Sequence, residues 1–366
     1  AEFMLDVVGA GATATCEQDW HEIWNNSPEK AQLDHEIDLI HTEGRSRPSA
    51  EATFEKEFAT PWFYQAWELF KRNNQSQYRD PIYLLAKLVL NIVSGLLIGF
   101  SFFKAKDTQQ GTQNKLFAVF LTAMVSYPLV MQLVLDSPRH FPFLTELPWN
   151  IAGGTLYFFT WYWTVGLPND RAGYTYLMFA IIFPMYYTSS GHAIAAMSPN
   201  EEIAAAIFSL LFSFVVVFCG VLQPYSQMGW WKWMYRISPY TYFIEGSLAQ
   251  AIGNGNIYCS STELSTITPP SGQTCGQYME AWLAMQGGYL VNPNDSINCQ
   301  FCSTTTVNRY LAERFNMFYS HRWRDVGILI GFTLFNIAAI YAFTFWFRIR
   351  TWSVRSLLSK KRLGYA

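Results

Sequence analysis

Charged residues are scarce in this 366-residue chain. Asp, Glu, Lys and Arg make up 14% of the sequence, while hydrophobic residues reach 51% and aromatic residues 17%. Soluble domains carry roughly 25% charged residues, so this deficit indicates a chain that lies largely in lipid. The formal net charge is −2, and nothing in it indicates a nucleic-acid partner.

Two sequence signals are also missing. No basic region leads into a short apolar core within residues 1–80, which predicts that there is no signal peptide. The G-x-x-x-x-G-K-[ST] pattern is absent, and although residues 9–14 follow G-x-G-x-x-A, no second strand follows to build a βαβ unit. Because the phosphate-binding pattern is absent, we expect that this chain neither binds nor hydrolyses ATP. The chain opens on Ala1 without an initiator Met, so we also expect a piece of a longer protein.

Long apolar runs are plentiful. A bilayer helix needs about 20 apolar residues, and six runs meet this need, at 82–103, 116–135, 143–166, 174–197, 203–222 and 326–347. We therefore predict an all-α membrane protein with six spans, numbered in chain order. Lys87 is expected to snorkel from the end of the first span, and Glu146 and His192 to face solvent or headgroups near span ends. No Asp, Glu or Arg lies at a span centre, which argues against a proton-coupled carrier or a voltage sensor.

The charge pattern orients these spans. Only basic charges follow the last span, so the positive-inside rule places both termini in the cytoplasm. Lys104, Lys106 and Lys115 would then be external, mildly against the rule. The connection between the fifth and sixth spans, about 223–325, becomes one large external loop. Its Asn294-Asp295-Ser296 sequon predicts glycosylation at Asn294, whereas the sequon at Asn74 should stay bare on the cytoplasmic side.

The external loop holds four of the six cysteines, which imply two disulfides in an oxidising compartment. The C-x-x-C spacing at 299–302 also occurs in zinc and redox sites, but the further ligands or the fold that those sites need are missing. A bridge within this motif would close a very tight loop. A nested pattern, Cys259–Cys302 with Cys275–Cys299, and a crossed one, Cys259–Cys299 with Cys275–Cys302, both remain open. We prefer the nested pattern because two antiparallel segments could then be joined twice.

Two further patterns concern helix contacts and the membrane surface. The Gly95-x-x-x-Gly99 pattern permits close helix contact, although glycine is also tolerated generally in membrane helices. Aromatic side chains crowd residues 224–245, which favours a belt at the headgroup level over an aromatic ligand cage. The rings concerned are Trp230, Trp231, Trp233, Tyr235, Tyr240 and Tyr242.

Several stretches resemble the fungal pleiotropic drug resistance (PDR/CDR) ABC transporters, which are of the full-length ABCG type. "AEFMLDVVGAGA" resembles the end of their second nucleotide-binding domain, and "ATPWFYQAWELFKRNNQSQYRDPIYLLAK" resembles their connector helix and first-span entry. "FCGVLQPYSQMGWWKWMYRISPYTYFIEG" resembles their fifth-span exit and re-entrant region, and "CGQYMEAWLAMQGGYLVNPNDSINCQFC" their last external loop. The resemblance implies a nucleotide-binding-domain remnant at 1–50, an amphipathic connector helix at 51–80, an ABC-2 type transmembrane domain at 81–350 and a basic cytoplasmic tail at 351–366.

The resemblance also implies a function, namely the membrane domain of an ATP-driven exporter of lipophilic compounds. It implies an integral membrane protein, expected in the plasma membrane. ATP and Mg would act through nucleotide-binding domains outside this chain, and a second ABCG-type half would be the partner. No catalytic residue, cofactor or metal is therefore predicted here. In the family the export path follows the first, second and fifth spans, which gives the path candidates Asn91, Ser94, Ser126, Met131, Ser209, Phe212, Ser213 and Phe218.

The sequence departs from the family between the second and third spans. Family members carry there a cytoplasmic loop with a "YE-RER-S-Y" pattern that helps couple ATPase motion to the spans. Here "MQLVLDSPRHFPFLTELPWN" leads directly into the third span. The alternative is therefore a truncated membrane protein that does not transport, or an assembly partner.

Overall fold

The computed structural model describes residues 19–47, 60–79, 81–135 and 143–349, and it describes side chains up to 125 in the third range and up to 347 in the last. The chain forms two units, Ala1–Trp62 and Phe63–Ala366. The glycine motif at 9–14 and the basic tail at 351–366 lie outside the described residues.

Two helices make up most of the described part of the first unit: α1, Trp20–Asn25, and α2, Pro28–Ser46. The Asp19 carboxylate begins α1 and the Ser27 hydroxyl begins α2, because each accepts hydrogen bonds from backbone N–H groups of the first turn. The second cap therefore separates two helices in this charged stretch.

Helices also dominate the second unit. The first of them, α3, begins at Trp62, the last residue of the first unit. Their bounds are α3 Trp62–Tyr78, α4 Pro81–Ser101, α5 Gln109–Leu135, α6 Phe143–Val165, α7 Ala172–Tyr176, α8 Phe183–Met197, α9 Glu201–Val217, α10 Lys232–Ile237, α11 Pro239–Ile252, α12 Cys275–Gln286, α13 Val307–Phe315 and α14 Arg322–Phe343. A π-helical segment, Leu177–Ile182, joins α7 to α8, and another, Thr344–Ile349, extends α14.

All six predicted spans are helical: α4, α5, α6, the continuous helix of α7 and α8, α9, and α14. Within the described residues, two segments are long and apolar enough to cross a bilayer, Pro81–Ser101 and Tyr319–Phe347. Glu146 and Pro148 interrupt the apolar run of α6, and α9 has only 17 residues. The crossing of the membrane by the other four spans stays a prediction.

The first and third spans pack closely along two glycines of α4. A Cβ atom at Gly95 would lie 3.0 Å from the carbonyl oxygen of Tyr157, and one at Gly99 would lie 3.0 Å from Cβ of Thr164. The close helix contact predicted for this pattern is confirmed. Because the contacts advance along both helices in the same direction, α4 and α6 run parallel, as two odd-numbered spans should.

Aromatic side chains fill the centre of the bundle. Trp161 and Tyr162 of α6 are fully buried, as are Tyr240 and Phe243 of α11. The ring of Phe183 on α8 stacks on that of Phe243 with centroids 4.0 Å apart. Helix α11 therefore belongs to the core of the bundle, although it lies within the predicted external loop, and the part of that loop outside the bundle is shorter than 223–325.

Three connections meet at one end of the bundle. The carbonyl of Asp107, between the first and second spans, accepts a hydrogen bond from the Tyr258 backbone at 2.9 Å. Arg171, between the third and fourth spans, donates to the carbonyl of Gly253 at the end of α11. One side of the bundle thus holds the connection after α4, the connection after α6 and the cysteine-rich segment, residues 254–318. Spans of alternating direction require this arrangement.

The cysteine-rich segment, residues 254–318, contains a small antiparallel sheet with the strand order β1-β3-β2. Its strands are β1 Ser265–Ile267, β2 Tyr289–Leu290 and β3 Cys299–Cys302. Ile267 pairs with Cys299, and Tyr289 pairs with Cys302. Disulfides join Cys259 to Cys302 and Cys275 to Cys299, so the preferred nested pairing is confirmed.

Candidate functional site

The candidates on the fifth span occupy more than one face of α9. Ser209 and Ser213 are one turn apart and exposed, and each hydroxyl donates to the carbonyl four residues earlier at 2.8 Å. Leu210 and Phe214 beside them are also exposed. Because the hydroxyl hydrogens are used within the helix, this face offers a ligand apolar contact and hydrogen-bond acceptors.

The two phenylalanine candidates pack against other aromatic rings. Phe212 is half-buried, and its ring lies 5.6 Å from that of Phe208 and 6.2 Å from that of Tyr240. It lines an apolar groove of about 360 Å³ between α8, α9, α11 and α14. Phe218 stacks on Trp231 with centroids 5.7 Å apart. These rings form part of the packing that holds α9 against its neighbours.

The candidates on the first span lie elsewhere. Asn91 donates to the carbonyl of Lys87 at 2.8 Å. Its amide nitrogen lies close to Gly153, only 2.9 Å from the position that a Cβ atom there would occupy. Ser94 is half-buried on the same helix. The side chains of Ser126 and Met131 lie outside the described residues. The described candidates are thus spread over separate surfaces, and their place on an export path stays a prediction.

The aromatic stretch divides into exposed and buried rings. Trp230, Trp231 and Trp233 are exposed, as an interfacial belt requires. Tyr235 and Tyr240 are buried, so the extension of the belt to these two tyrosines is wrong. The helix that carries Tyr240 turns back into the bundle, and periodicity alone does not reveal such a turn.

Sequence reasoning missed a buried polar cluster at the opposite end of the bundle from the cysteine-rich segment. Lys87 and Glu146 are each 3% exposed and His192 is 8% exposed. The predictions that Lys87 snorkels and that Glu146 and His192 face solvent or headgroups are therefore wrong. Each residue lies near the end of its own span, but neighbouring helices cover it. The available signal was that Lys87 and Glu146 lie near the starts of the first and third spans and His192 near the end of the fourth, so that alternating spans bring all three to the same side of the bundle.

A second charged cluster joins α11 to the start of α14. The buried carboxylate of Glu245 accepts hydrogen bonds from the Phe318 backbone at 3.0 Å, from His321 Nδ1 at 2.9 Å and from Arg324 Nη2 at 3.0 Å. Arg324 also contacts Asp325 at 2.8 Å. This network satisfies a buried carboxylate and anchors α11. Among the described residues, no group of three or more His, Cys, Asp or Glu could hold a metal ion.

The predicted glycosylation site lies on an exposed turn between Cys275 and Cys299. Asn294 itself is exposed. Beside it, the Asn292 amide donates to Asp295 Oδ2 at 2.8 Å and to the carbonyl of Asn298 at 2.9 Å, which shapes the turn. The sequon is therefore accessible, while its modification stays a prediction.

Comparisons with known proteins agree with this architecture. The family model for ABC-2 type transporters matches residues 64–145 and 141–251, and that for CDR ABC transporters matches residues 302–362. The Brefeldin A resistance protein of Schizosaccharomyces pombe is 40% identical over 383 residues, covering 95% of this chain and 25% of the relative. The Pleiotropic ABC efflux transporter of multiple drugs of Saccharomyces cerevisiae is 37% identical over 394 residues, covering 99% of this chain and 26% of the relative.

The chain spans about a quarter of the length of the curated relatives it matches. Its match to the ABC-2 model is divided at residues 141–145, which include the first residues of α6. The alignment to the Schizosaccharomyces pombe relative extends over 383 residues but takes in 95% of a 366-residue chain, so the relative has residues that this chain lacks. The chain is an integral membrane protein that belongs to the ABC-2 type transporter family, as a membrane region of the fungal PDR/CDR multidrug transporters.

Proposed function

We propose that this chain is the C-terminal membrane half of an ATP-driven exporter of lipophilic compounds. The observation that carries the proposal is the alignment of nearly the whole chain with proteins named for brefeldin A resistance and for efflux of multiple drugs. ATP and Mg act on nucleotide-binding domains elsewhere in the transporter. A second ABCG-type half completes the path for the exported compound.

The exposed face of α9 is the part of the proposed path with the clearest chemistry. Ser209 and Ser213 present hydroxyl acceptors within an apolar surface. Such a surface suits varied lipophilic compounds, because apolar contact tolerates many shapes while a few polar atoms orient the ligand. Asn91, Ser94, Ser126 and Met131 are the proposed contributions of the first and second spans.

The proposed orientation places both termini in the cytoplasm of a cell whose plasma membrane holds the protein. The connections after α4 and after α6 share one side with the cysteine-rich segment, and its two disulfides suit an oxidising compartment. The basic residues after α14 suit the cytoplasmic side.

A chimeric transporter tests the proposal. This chain replaces the matching quarter of the Saccharomyces cerevisiae relative in a strain that lacks that relative, and efflux of a fluorescent lipophilic dye is followed in intact cells. We expect ATP-dependent efflux above the empty-vector control. Ser213→Phe should change efflux or substrate preference, whereas Leu334→Phe, at an exposed position of α14, should not.

A second chimera addresses the interruption between the second and third spans, which is the observation behind the alternative of a membrane protein that does not transport. In this version the relative's own residues between the second and third spans are restored. Efflux only in the restored chimera would assign the defect to the missing segment. A surface-expressed protein without efflux in either version would contradict the proposed export function.

A further inference from the structure

The register between α4 and α6 brings Lys87 to the level of Glu146. Asn91 of α4 lies against Gly153 of α6, and the two helices run parallel. Lys87 precedes Asn91 by about one helical turn, and Glu146 precedes Gly153 by about two. Helical side chains lean toward the N-terminus of their helix, so the long lysine side chain spans the remaining turn. Glu146 and Lys87 influence each other electrostatically in this arrangement.

The register between α6 and α8 brings His192 to the same level. Asn150 donates to the Thr188 hydroxyl at 2.7 Å. Because α8 runs antiparallel to α6, moving one turn back from Asn150 reaches Glu146, and moving one turn on from Thr188 reaches His192. The structure places His192 Nε2 3.9 Å from Glu146 Oε2.

Four buried polar atoms in this region have no hydrogen-bond partner among the described residues. They are Lys87 Nζ, Glu146 Oε2, Asn150 Oδ1 and His192 Nε2. The ammonium of Lys87 lies 5.4 Å from the centroid of the Tyr83 ring, and the 3.9 Å between Glu146 and His192 exceeds a hydrogen bond. A buried polar atom left without a partner costs on the order of 1–3 kcal/mol, so four together need an explanation.

Opposite charges and bound water together explain how these four polar atoms can be buried. Lys87 and Glu146 carry opposite charges, and a buried ion is retained when a partner and further hydrogen bonds compensate it. Buried waters typically make about three hydrogen bonds to polar groups that would otherwise be unsatisfied. The cluster offers a donor, a carboxylate acceptor, an amide acceptor and an imidazole, which are suitable partners for one or two waters.

We propose that Lys87 and Glu146 form a water-bridged ion pair in an enclosed site between α4, α6 and α8, with Asn150 and His192 as further ligands of the bound water. The site holds the first, third and fourth spans in register at the end of the bundle opposite the cysteine-rich segment. It is distinct from the exposed face of α9, and its test does not depend on transport.

Charge neutralisation tests the pairing. Lys87→Met, Glu146→Gln and the double variant are expressed as the full chain, purified in detergent and compared by melting temperature and by yield of monodisperse protein. We expect each single variant to lose stability or yield, because it leaves one buried charge alone, and the double variant to recover most of the loss. A single variant that fails to fold gives a low yield of monodisperse protein, which is one of the two expected losses. Lys71→Met and Glu202→Gln, at exposed positions, serve as controls and should change neither quantity.

A carboxyl-modifying reagent tests the ionisation of Glu146 directly. Dicyclohexylcarbodiimide, an apolar reagent, modifies protonated carboxyl groups buried in membranes, and mass spectrometry of the α6 peptide reports the modification. We expect little reaction at Glu146 in the wild-type chain and several-fold more in Lys87→Met, where the carboxyl lacks its cation. Glu146→Gln gives the background. Equal modification of wild type and Lys87→Met, or a double variant that loses as much as the two single variants together, would overturn the ion pair.

Discussion

At the scale of single residues, Glu263 links the cysteine-rich segment to the start of α5. Its two carboxylate oxygens accept hydrogen bonds from the backbone N–H groups of Gln110 at 2.7 Å and Ser260 at 2.8 Å. Partial burial acts to raise the pKa of Glu263, but these backbone donors favour the charged form and hold its pKa below the usual range. The ionised carboxylate is therefore the form that makes the link.

We expect this link to weaken in acid. A group whose pKa is lowered on folding stabilises the folded state above its unfolded pKa, and this contribution is lost as the pH falls through the folded pKa. The melting temperature of the detergent-solubilised chain should decline below about pH 4.3, the usual value for Glu. Glu263→Gln should be less stable than wild type at pH 7 and should decline less steeply in acid. Glu280→Gln, on the exposed surface of α12, is the control, and a Glu263→Gln profile that matches wild type would contradict the assignment.

At the scale of elements, the glycines of α4 set how closely the first and third spans approach. The atoms that a side chain at Gly95 would meet include a backbone carbonyl, which cannot rotate away. By contrast, Gly331 of α14 has no atom within 4 Å of the place where a Cβ would be. The two glycines share a helical setting but differ in what surrounds them.

This contrast predicts different effects for the same substitution. Gly95→Val should destabilise the chain by about 1–3 kcal/mol or more, because the added carbons force α4 away from α6. Gly331→Val should cost much less, since its side chain meets open space. Thermal unfolding in detergent measures both. Equal losses at the two positions would show that the close approach of α4 and α6 does not limit stability.

The two disulfides act at the scale of the cysteine-rich segment. They join residues 43 and 24 positions apart. Each should stabilise the segment by about 2–4 kcal/mol, and the longer loop should contribute about 0.5 kcal/mol more than the shorter one. Replacing both cysteines of a pair with serine, followed by limited proteolysis of residues 254–318, measures each contribution. Non-reducing peptide mapping must also find these two pairs, and a Cys299–Cys302 peptide would refute the framework.

At the scale of the whole molecule, the packing of loops constrains the topology. The connections after α4 and after α6 contact the cysteine-rich segment or α11 at one end of the bundle. Residues near the start of α4, the start of α6 and the end of α8 lie at the other end. Connections that alternate between two ends are what a chain crossing a bilayer repeatedly must have.

Glycosylation mapping determines which end is external. Asn74 on α3 and Asn294 in the cysteine-rich segment are both exposed, so accessibility within the fold does not distinguish them. If the proposed orientation is correct, expression in a glycosylating host modifies Asn294 and leaves Asn74 bare. Asn294→Gln should then abolish the mass shift that glycosidase treatment removes, and Asn74→Gln should not. The reverse pattern would invert the topology.

The residues alone predicted the helix positions, the close contact at Gly95 and Gly99, and two disulfides among the four external cysteines. They favoured the nested pairing but left the crossed one open until the structure decided between them. Apolar length, small-residue spacing and cysteine spacing are properties of short stretches or of a few pairs, so a single chain displays them. The family resemblance rests on equally local stretches, such as the aromatic residues after α9, and the comparisons confirm it.

The tertiary structure alone decided which polar and aromatic groups are buried. Hydropathy places Lys87, Glu146 and His192 near span ends, where solvent is the default environment, but burial depends on which helix covers each end. It likewise assigns α11 to an external loop because the segment follows an apparent span exit, whereas Tyr240 and Phe243 are buried in the core. Both outcomes follow from contacts between helices distant in sequence, and the free energy of those contacts appears only when the helices pack.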